Sequence, residues 1–212
     1  MVISAKIPVT LEERLEYGEK LIIPAGWEEF LDALEESEYR IEYDAGEIIS
    51  FMGYATENHE KLVGILVRLL GNLLKEDKFD IFGSNLALHI PGFGHRYYNA
   101  DCAVVEGESE KVILRGNMTA VANPILLVEV LSPSTEDFDL GRKFRHYREI
   151  PSLQQVLFID STKTSVVSQT RHNGGNDWLL REFTDSNDEF PVLKEGAISV
   201  KELYRKVKFT QA

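Results

Sequence analysis

Positive charge is in short supply along this chain: 23 lysines and arginines face 35 aspartates and glutamates, a net charge of −12. That balance excludes broad, non-specific attachment to nucleic acid, which needs a basic surface. It leaves room for an enzyme of nucleic acid with a local basic strip and bound divalent cations. The one dense basic stretch is Arg142-Lys143-Phe144-Arg145-His146-Tyr147-Arg148. Cysteine is almost absent: Cys102 alone cannot form an internal disulfide, and a reducing, cytoplasmic setting is expected. No apolar run approaches the roughly 18–20 residues that span a bilayer, so no membrane partner is expected. The first residues, Met1-Val2-Ile3-Ser4-Ala5-Lys6, lack the apolar stretch of a signal peptide. His89, His95, His146 and His172 show no ligand spacing, which excludes a histidine-built metal site. There is no Gly-x-Ser-x-Gly elbow, no phosphate-binding Walker loop and no dinucleotide fingerprint. Gly92-Phe93-Gly94 and Gly174-Gly175 are turn signals only.

What is present suits one globular domain over residues 1–212, with 1–36 as a helical N-terminal appendage and 37–207 as the core. A hydrophobic content of 43% supplies that core. Trp27, Phe30, Leu31 and Leu34 predict a short helix over 27–36. Residues 39–52 read as a hairpin turning at Asp44-Ala45-Gly46. The clearest helix runs over 58–74, with Leu62, Val63, Leu66, Leu69, Leu70, Leu73 and Leu74 at three- and four-residue spacing and Thr56 or Asn58 as its cap. Strands are predicted over 79–90, 97–105, 125–131, 154–159, 164–170 and 178–183, a second helix over 136–150, and a last one over 199–207. This is a mixed α/β (α+β) pattern.

One residue breaks the pattern. Glu129 lies inside the apolar run Pro124-Ile125-Leu126-Leu127-Val128-Glu129-Val130-Leu131, which reads as a buried strand. Alternation puts it on one face with Ile125, Leu127 and Leu131. An unpaired buried carboxylate costs several kcal/mol at least, so it must be paired, metal-bound or protonated. Asp101 opens the preceding apolar strand candidate, Asp101-Cys102-Ala103-Val104-Val105. Strands consecutive in sequence are commonly neighbours, about 4.8 Å apart. Two carboxylates on one sheet face at that spacing are either held ionised by a shared cation or share the site with one of them protonated, and hard oxygen ligands favour Mg²⁺ or Mn²⁺. Lys143, on the second helix, can swing toward them and orient an attacking water. Glu42 or Glu47, flanking the hairpin turn, completes the shell.

These residues resemble the Uma-type restriction-endonuclease family of bacteria, within the PD-(D/E)XK nuclease superfamily. The resemblance spans about residues 27–207. It rests on Ile41-Glu42-Tyr43-Asp44-Ala45-Gly46-Glu47-Ile48, on His59, and on Asn99-Ala100-Asp101. Its strongest block is Val128-Glu129-Val130-Leu131-Ser132-Pro133-Ser134-Thr135, with Asp139, Lys143 and Tyr147 after it and Gln155-Val156-Leu157-Phe158-Ile159-Asp160 as the next strand. There are departures. Ala100 replaces a proline, Ala45 part of an Asp-Gly pair, and Gln155 a commonly acidic residue. Leu131 stands where the superfamily lysine would follow the glutamate, and Lys143 fits the lysine moved onto the next helix.

The resemblance implies a restriction-endonuclease-like core: a twisted mixed sheet flanked by a long helix and a second, catalytic-side helix. It implies Glu42, Asp101, Glu129 and Lys143 as catalytic residues and Asp101 with Glu129 as metal ligands. Glu47, His59, Ser132 and Tyr147 are accessory candidates. The expected activity is Mg²⁺- or Mn²⁺-dependent hydrolysis of DNA, with a homodimer suited to two antiparallel strands. Other readings stand beside it. Glu129 could instead be a structural salt bridge to Arg142, Lys143 or Arg145, Asp101 a solvated strand end, His59 a surface histidine, and Ser132 a backbone-bonding strand end. The whole chain could be a non-catalytic binding or assembly module, or a phosphohydrolase of small nucleotides.

Overall fold

The computed structural model describes residues 6–52, 56–84, 86–92 and 94–209. In chain order the elements are α1 (Leu11–Leu15), β1 (Lys20–Pro24), α2 (Trp27–Glu36), β2 (Glu42–Asp44), β3 (Glu47–Phe51), α3 (Glu57–Leu73), β4 (Phe79–Phe82), β5 (Leu86–His89), β6 (Arg96–Ala100) and β7 (Cys102–Glu106). They continue with β8 (Lys111–Arg115), β9 (Met118–Val121), β10 (Pro124–Leu131), a π-helical turn (Phe138–Lys143) running into α4 (Phe144–Tyr147), β11 (Gln155–Asp160), β12 (Val166–Arg171), β13 (Trp178–Phe183), β14 (Glu189–Val192), β15 (Gly196–Ser199) and α5 (Val200–Tyr204).

Two sheets carry the fold. One has six strands in the order β13-β12-β11-β10-β7-β4, and the other seven in the order β1-β3-β2-β6-β5-β9-β8. In the first, β10 is central: parallel to β11 on one side, antiparallel to β7 on the other. All eight residues of β10 are buried, as its aliphatic run requires. α3 lays Leu62, Leu66 and Leu70 against the face of Val128 and Val130. The opposite face, with Leu127 and Leu131, packs on Tyr147 and Ile150 and on Ile49, Leu88 and Tyr98 of the second sheet. That second sheet packs its far side on Phe30 and Leu31 of α2.

Several expectations change. The strand predicted over 97–105 is two strands in different sheets, broken at Asp101. The one predicted over 79–90 divides likewise into β4 and β5. Ile125 does not share the face of Glu129: the register slips between Pro124 and Leu126, and Ile125 joins the α3 side. The N-terminal 36 residues, expected as a helical appendage, also contribute β1, which pairs along its whole length with β3. Buried Arg14 ties α1 to this sheet by donating to the side chain and carbonyl of Ser50. Thr56, not Asn58, caps α3 by accepting from the His59 amide. The hairpin turns where expected, with Ala45 (φ 45°) and Gly46 (φ 113°) both at positive φ, which matches the twist of the flanking strands. Gly92 and Gly94 are likewise at positive φ, while Phe93 of that turn lies outside the described residues.

Candidate active site

Where β6 ends and β7 begins, the chain leaves one sheet for the other, and Asp101 sits at that step. Its amide donates to the Val128 carbonyl at 3.1 Å, and its Oδ2 accepts from the Val130 amide at 2.8 Å. These two bonds straddle Glu129. The antiparallel register, which pairs Cys102 with Val128, therefore places Asp101 opposite Glu129 on the same face. Both carboxylates are buried, yet both line one cleft of about 600 Å³ together with Arg40, Glu42, His59, Ser132, Asp139 and Lys143.

Around Glu129 the contacts are short. Tyr147 donates its hydroxyl to Oε1 at 2.6 Å, and Lys143 Nζ stands 3.0 Å from the same oxygen. Lys143 is 3% exposed and also meets the Asn99 carbonyl at 2.9 Å, Glu42 Oε1 at 3.2 Å and Asp139 Oδ1 at 3.5 Å. Asp139 is one helical turn before Lys143, so helix spacing aims both into the cluster. Glu42 Oε1 further accepts from the Asn99 amide at 3.0 Å and lies 3.4 Å from Arg40 Nη2. The Asn99 carbonyl takes donors from both Lys143 and Arg40, which uses both of its lone pairs. Arg40 Nη1 lies 3.7 Å from Asp101 Oδ1, and His59 Nε2 lies 3.3 Å from Asp101 Oδ2.

Four carboxylates thus face two permanent cations, and the protonation equilibria register the deficit. Burial pushes Glu129 up to about 8; Lys143 opposes this, while Asp139 and Asp101 add to it. Burial likewise raises Asp139 to about 6, against the pull of Lys143. Burial would lower Lys143, but Glu129, Glu42 and Asp139 outweigh it and hold the ammonium charged. Asp101 goes the other way. Burial disfavours its charge, but His59, Arg40 and the Val130 amide together hold it below the ordinary carboxylate range.

The structure gathers Glu42, Asp101, Glu129, Lys143, His59 and Tyr147 at one place. It leaves out Glu47, which pairs with Arg142 at 2.8 Å; Arg142 also bonds Asp44. Of the cations considered as salt-bridge partners of Glu129, Lys143 is the one that reaches it. Ser132 lines the cleft, but its hydroxyl bonds those of Ser134 (3.0 Å) and Thr135 (3.1 Å) instead of backbone. Among the described residues, no group of three or more His, Cys, Asp or Glu side chains is arranged as a ready metal cage.

The sequence profile described as "Uma2: Putative restriction endonuclease" matches residues 27–199. The chain belongs to the Uma2 family. The chain is also similar to two curated proteins from Synechocystis sp. (strain ATCC 27184 / PCC 6803 / Kazusa). The uncharacterized protein sll1609 is 35% identical over 161 residues, covering 76% of this chain and 88% of the relative. The uncharacterized protein slr1290 is 31% identical over 183 residues, covering 86% and 92%. The fold matches a crystal structure titled a putative nuclease belonging to DUF820 from Anabaena variabilis ATCC 29413. Its TM-score is 0.66 at 20% identity, with 86% of this chain and 98% of that chain covered. No helix among the described residues of this Uma2 chain is long and apolar enough to cross a membrane. Arg40 and Asp139 line the site without having been assigned to it from the sequence, although Asp139 belonged to the motif block; the signal for Asp139 was its four-residue spacing from Lys143. Arg40 stands two positions before Glu42, and alternation along an extended segment was its signal.

Proposed function

We propose that this Uma2 chain is a divalent-metal-dependent endonuclease that hydrolyses DNA phosphodiester bonds. The carrying observation is the opposed pair Asp101 and Glu129, buried on one sheet face and lining one cleft. The donor set suits Mg²⁺ or Mn²⁺. Mg²⁺ is commonly held by one or two carboxylates, with waters and substrate phosphate oxygens completing the shell, so a three-residue protein cage is not required. Charge supports the same reading: with all four carboxylates ionised, they exceed the two permanent cations by the charge of one divalent ion. Asp101 and Glu129 would hold the cation. When bound, it supplies Lewis-acid activation of the phosphoryl group and of the attacking water.

The remaining residues set the geometry. Tyr147 and Lys143 fix the orientation of Glu129, and the Val130 amide fixes Asp101. Glu42 holds Lys143 and Arg40 in place. In the reaction a water oxygen bonds to phosphorus, the bond to the leaving sugar oxygen breaks, and that oxygen takes up a proton. A homodimer would offer one cleft to each strand of a duplex.

Purified protein with Mg²⁺ or Mn²⁺ is expected to nick or cut plasmid DNA. Asp101→Ala and Glu129→Ala, confirmed folded by circular dichroism, are expected to abolish cutting; unchanged cutting by both overturns the mechanism. The net charge of −12 favours a second reading, a non-catalytic module. Titration calorimetry with Mn²⁺ separates the two, because the module predicts no binding heat.

A further inference from the structure

Three cationic side chains border the cleft, and they differ in what they can still bind. Lys143 is 3% exposed and has four oxygens within 3.5 Å of a nitrogen that carries three protons. No donor is left for a ligand. His59 directs Nε2 at Asp101. Arg40 is different: its side chain is 37% exposed at the cleft wall. Its hydrogen bonds to Asn99 and Glu42 both use Nη2, and Nη1 is too far from Asp101 to bond. Among the described residues, the Nε and Nη1 protons make no hydrogen bond. The guanidinium is therefore anchored at Nη2, with Nη1 near Asp101, and Nε–H and the Nη1 protons are the donors left for a phosphate oxygen. The backbone below is also pinned: Ser50 donates its hydroxyl to the Arg40 carbonyl at 3.0 Å and is itself held by Arg14.

We propose that Arg40 grips a non-bridging phosphate oxygen of a nucleic-acid strand lying in the cleft, and that Lys143 is a positioning residue inside its wall. This rests on the nuclease reading and names the side chain that meets its substrate. It also suits a chain of net charge −12, because one well-placed guanidinium supplies positive charge locally.

The test is fluorescence anisotropy with a labelled oligonucleotide, single-stranded and duplex, with Ca²⁺ as the hard cation and salt varied from about 50 to 250 mM. Loss of one phosphate contact shrinks the slope of log K against log salt by about 0.7 on a single strand and 0.9 on a duplex. Arg40→Gln is expected to show that drop and to bind roughly tenfold more weakly at the lowest salt. Arg40→Lys keeps the charge and loses the guanidinium's anchored donors, so its slope should match wild type while its affinity falls. If Arg40→Gln fails to fold, Arg40→Lys still decides: wild-type affinity in that variant overturns the inference. Wild-type affinity and slope in folded Arg40→Gln overturn it and leave the nuclease reading standing. A wild-type protein that binds neither oligonucleotide sinks both.

Discussion

Replacing Glu129 with glutamine tests the electrostatics of the cleft without touching its shape. The side chain is 2% exposed and titrates at about 8, against an ordinary glutamate value of 4.5. Burial is the main cause, only partly offset by Lys143. A carboxyl whose pKa is higher in the folded chain than in the unfolded one holds an extra proton when folded. Stability therefore falls as pH rises through the window between those two values. Mid-window each step of one in pH removes about 1.4 kcal/mol and near either end about half that, so in the absence of divalent metal this group withdraws roughly 3 kcal/mol between pH 5 and pH 8. Glutamine cannot ionise, and its carbonyl still accepts from Tyr147. In urea denaturation followed by circular dichroism with EDTA present, Glu129→Gln should be close to wild type at pH 5. By pH 8 it should be the more stable protein by roughly that 3 kcal/mol. Asp139 acts in the same direction at lower pH, through about 6, and because its charge also raises Glu129 the two carboxyls titrate as a pair. A stability difference that stays constant from pH 5 to pH 8 would refute the reasoning, since it would mean that Glu129 is ionised throughout.

Lys143→Met should do the opposite, leaving Glu42, Glu129 and Asp139 buried without their shared cation. Breaking a buried pair costs about 3–5 kcal/mol, and urea midpoints at pH 8 should register it in full, with a smaller loss at pH 5, where the carboxyls protonate. Thr56→Ala removes the hydroxyl that caps α3 and should cost about 1 kcal/mol in the same assay, with no pH dependence.

Local spacing carried some structural decisions; the helix expected over 136–150 came out shorter, as a π-helical turn running into α4. The three- and four-residue recurrence of leucines fixed α3 as an amphipathic helix. A run of aliphatic residues fixed β10 as a buried strand, and a carboxylate within that run announced its own anomaly. Asp101 and Glu129 do lie opposite each other, but not on consecutive strands as expected: β8 and β9 intervene and belong to the other sheet, so the adjacency of β7 and β10 is a tertiary outcome. Tertiary structure alone decided matters that depend on which distant segment lies alongside. The break at Asp101 sends β6 and β7 into different sheets, yet the residues on either side of it are equally strand-like. The slip that turns Ile125 away from Glu129 exists only against β7. Arg40 becomes a site residue because Asn99, nearly sixty positions later, presents its carbonyl there. The choice between Glu42 and Glu47 followed from Arg142 reaching Glu47 while Lys143 reached Glu42. Side-chain periodicity records which way a residue faces along its own element. What it faces is set by long-range packing, and there buried charges settle only where other segments supply their partners.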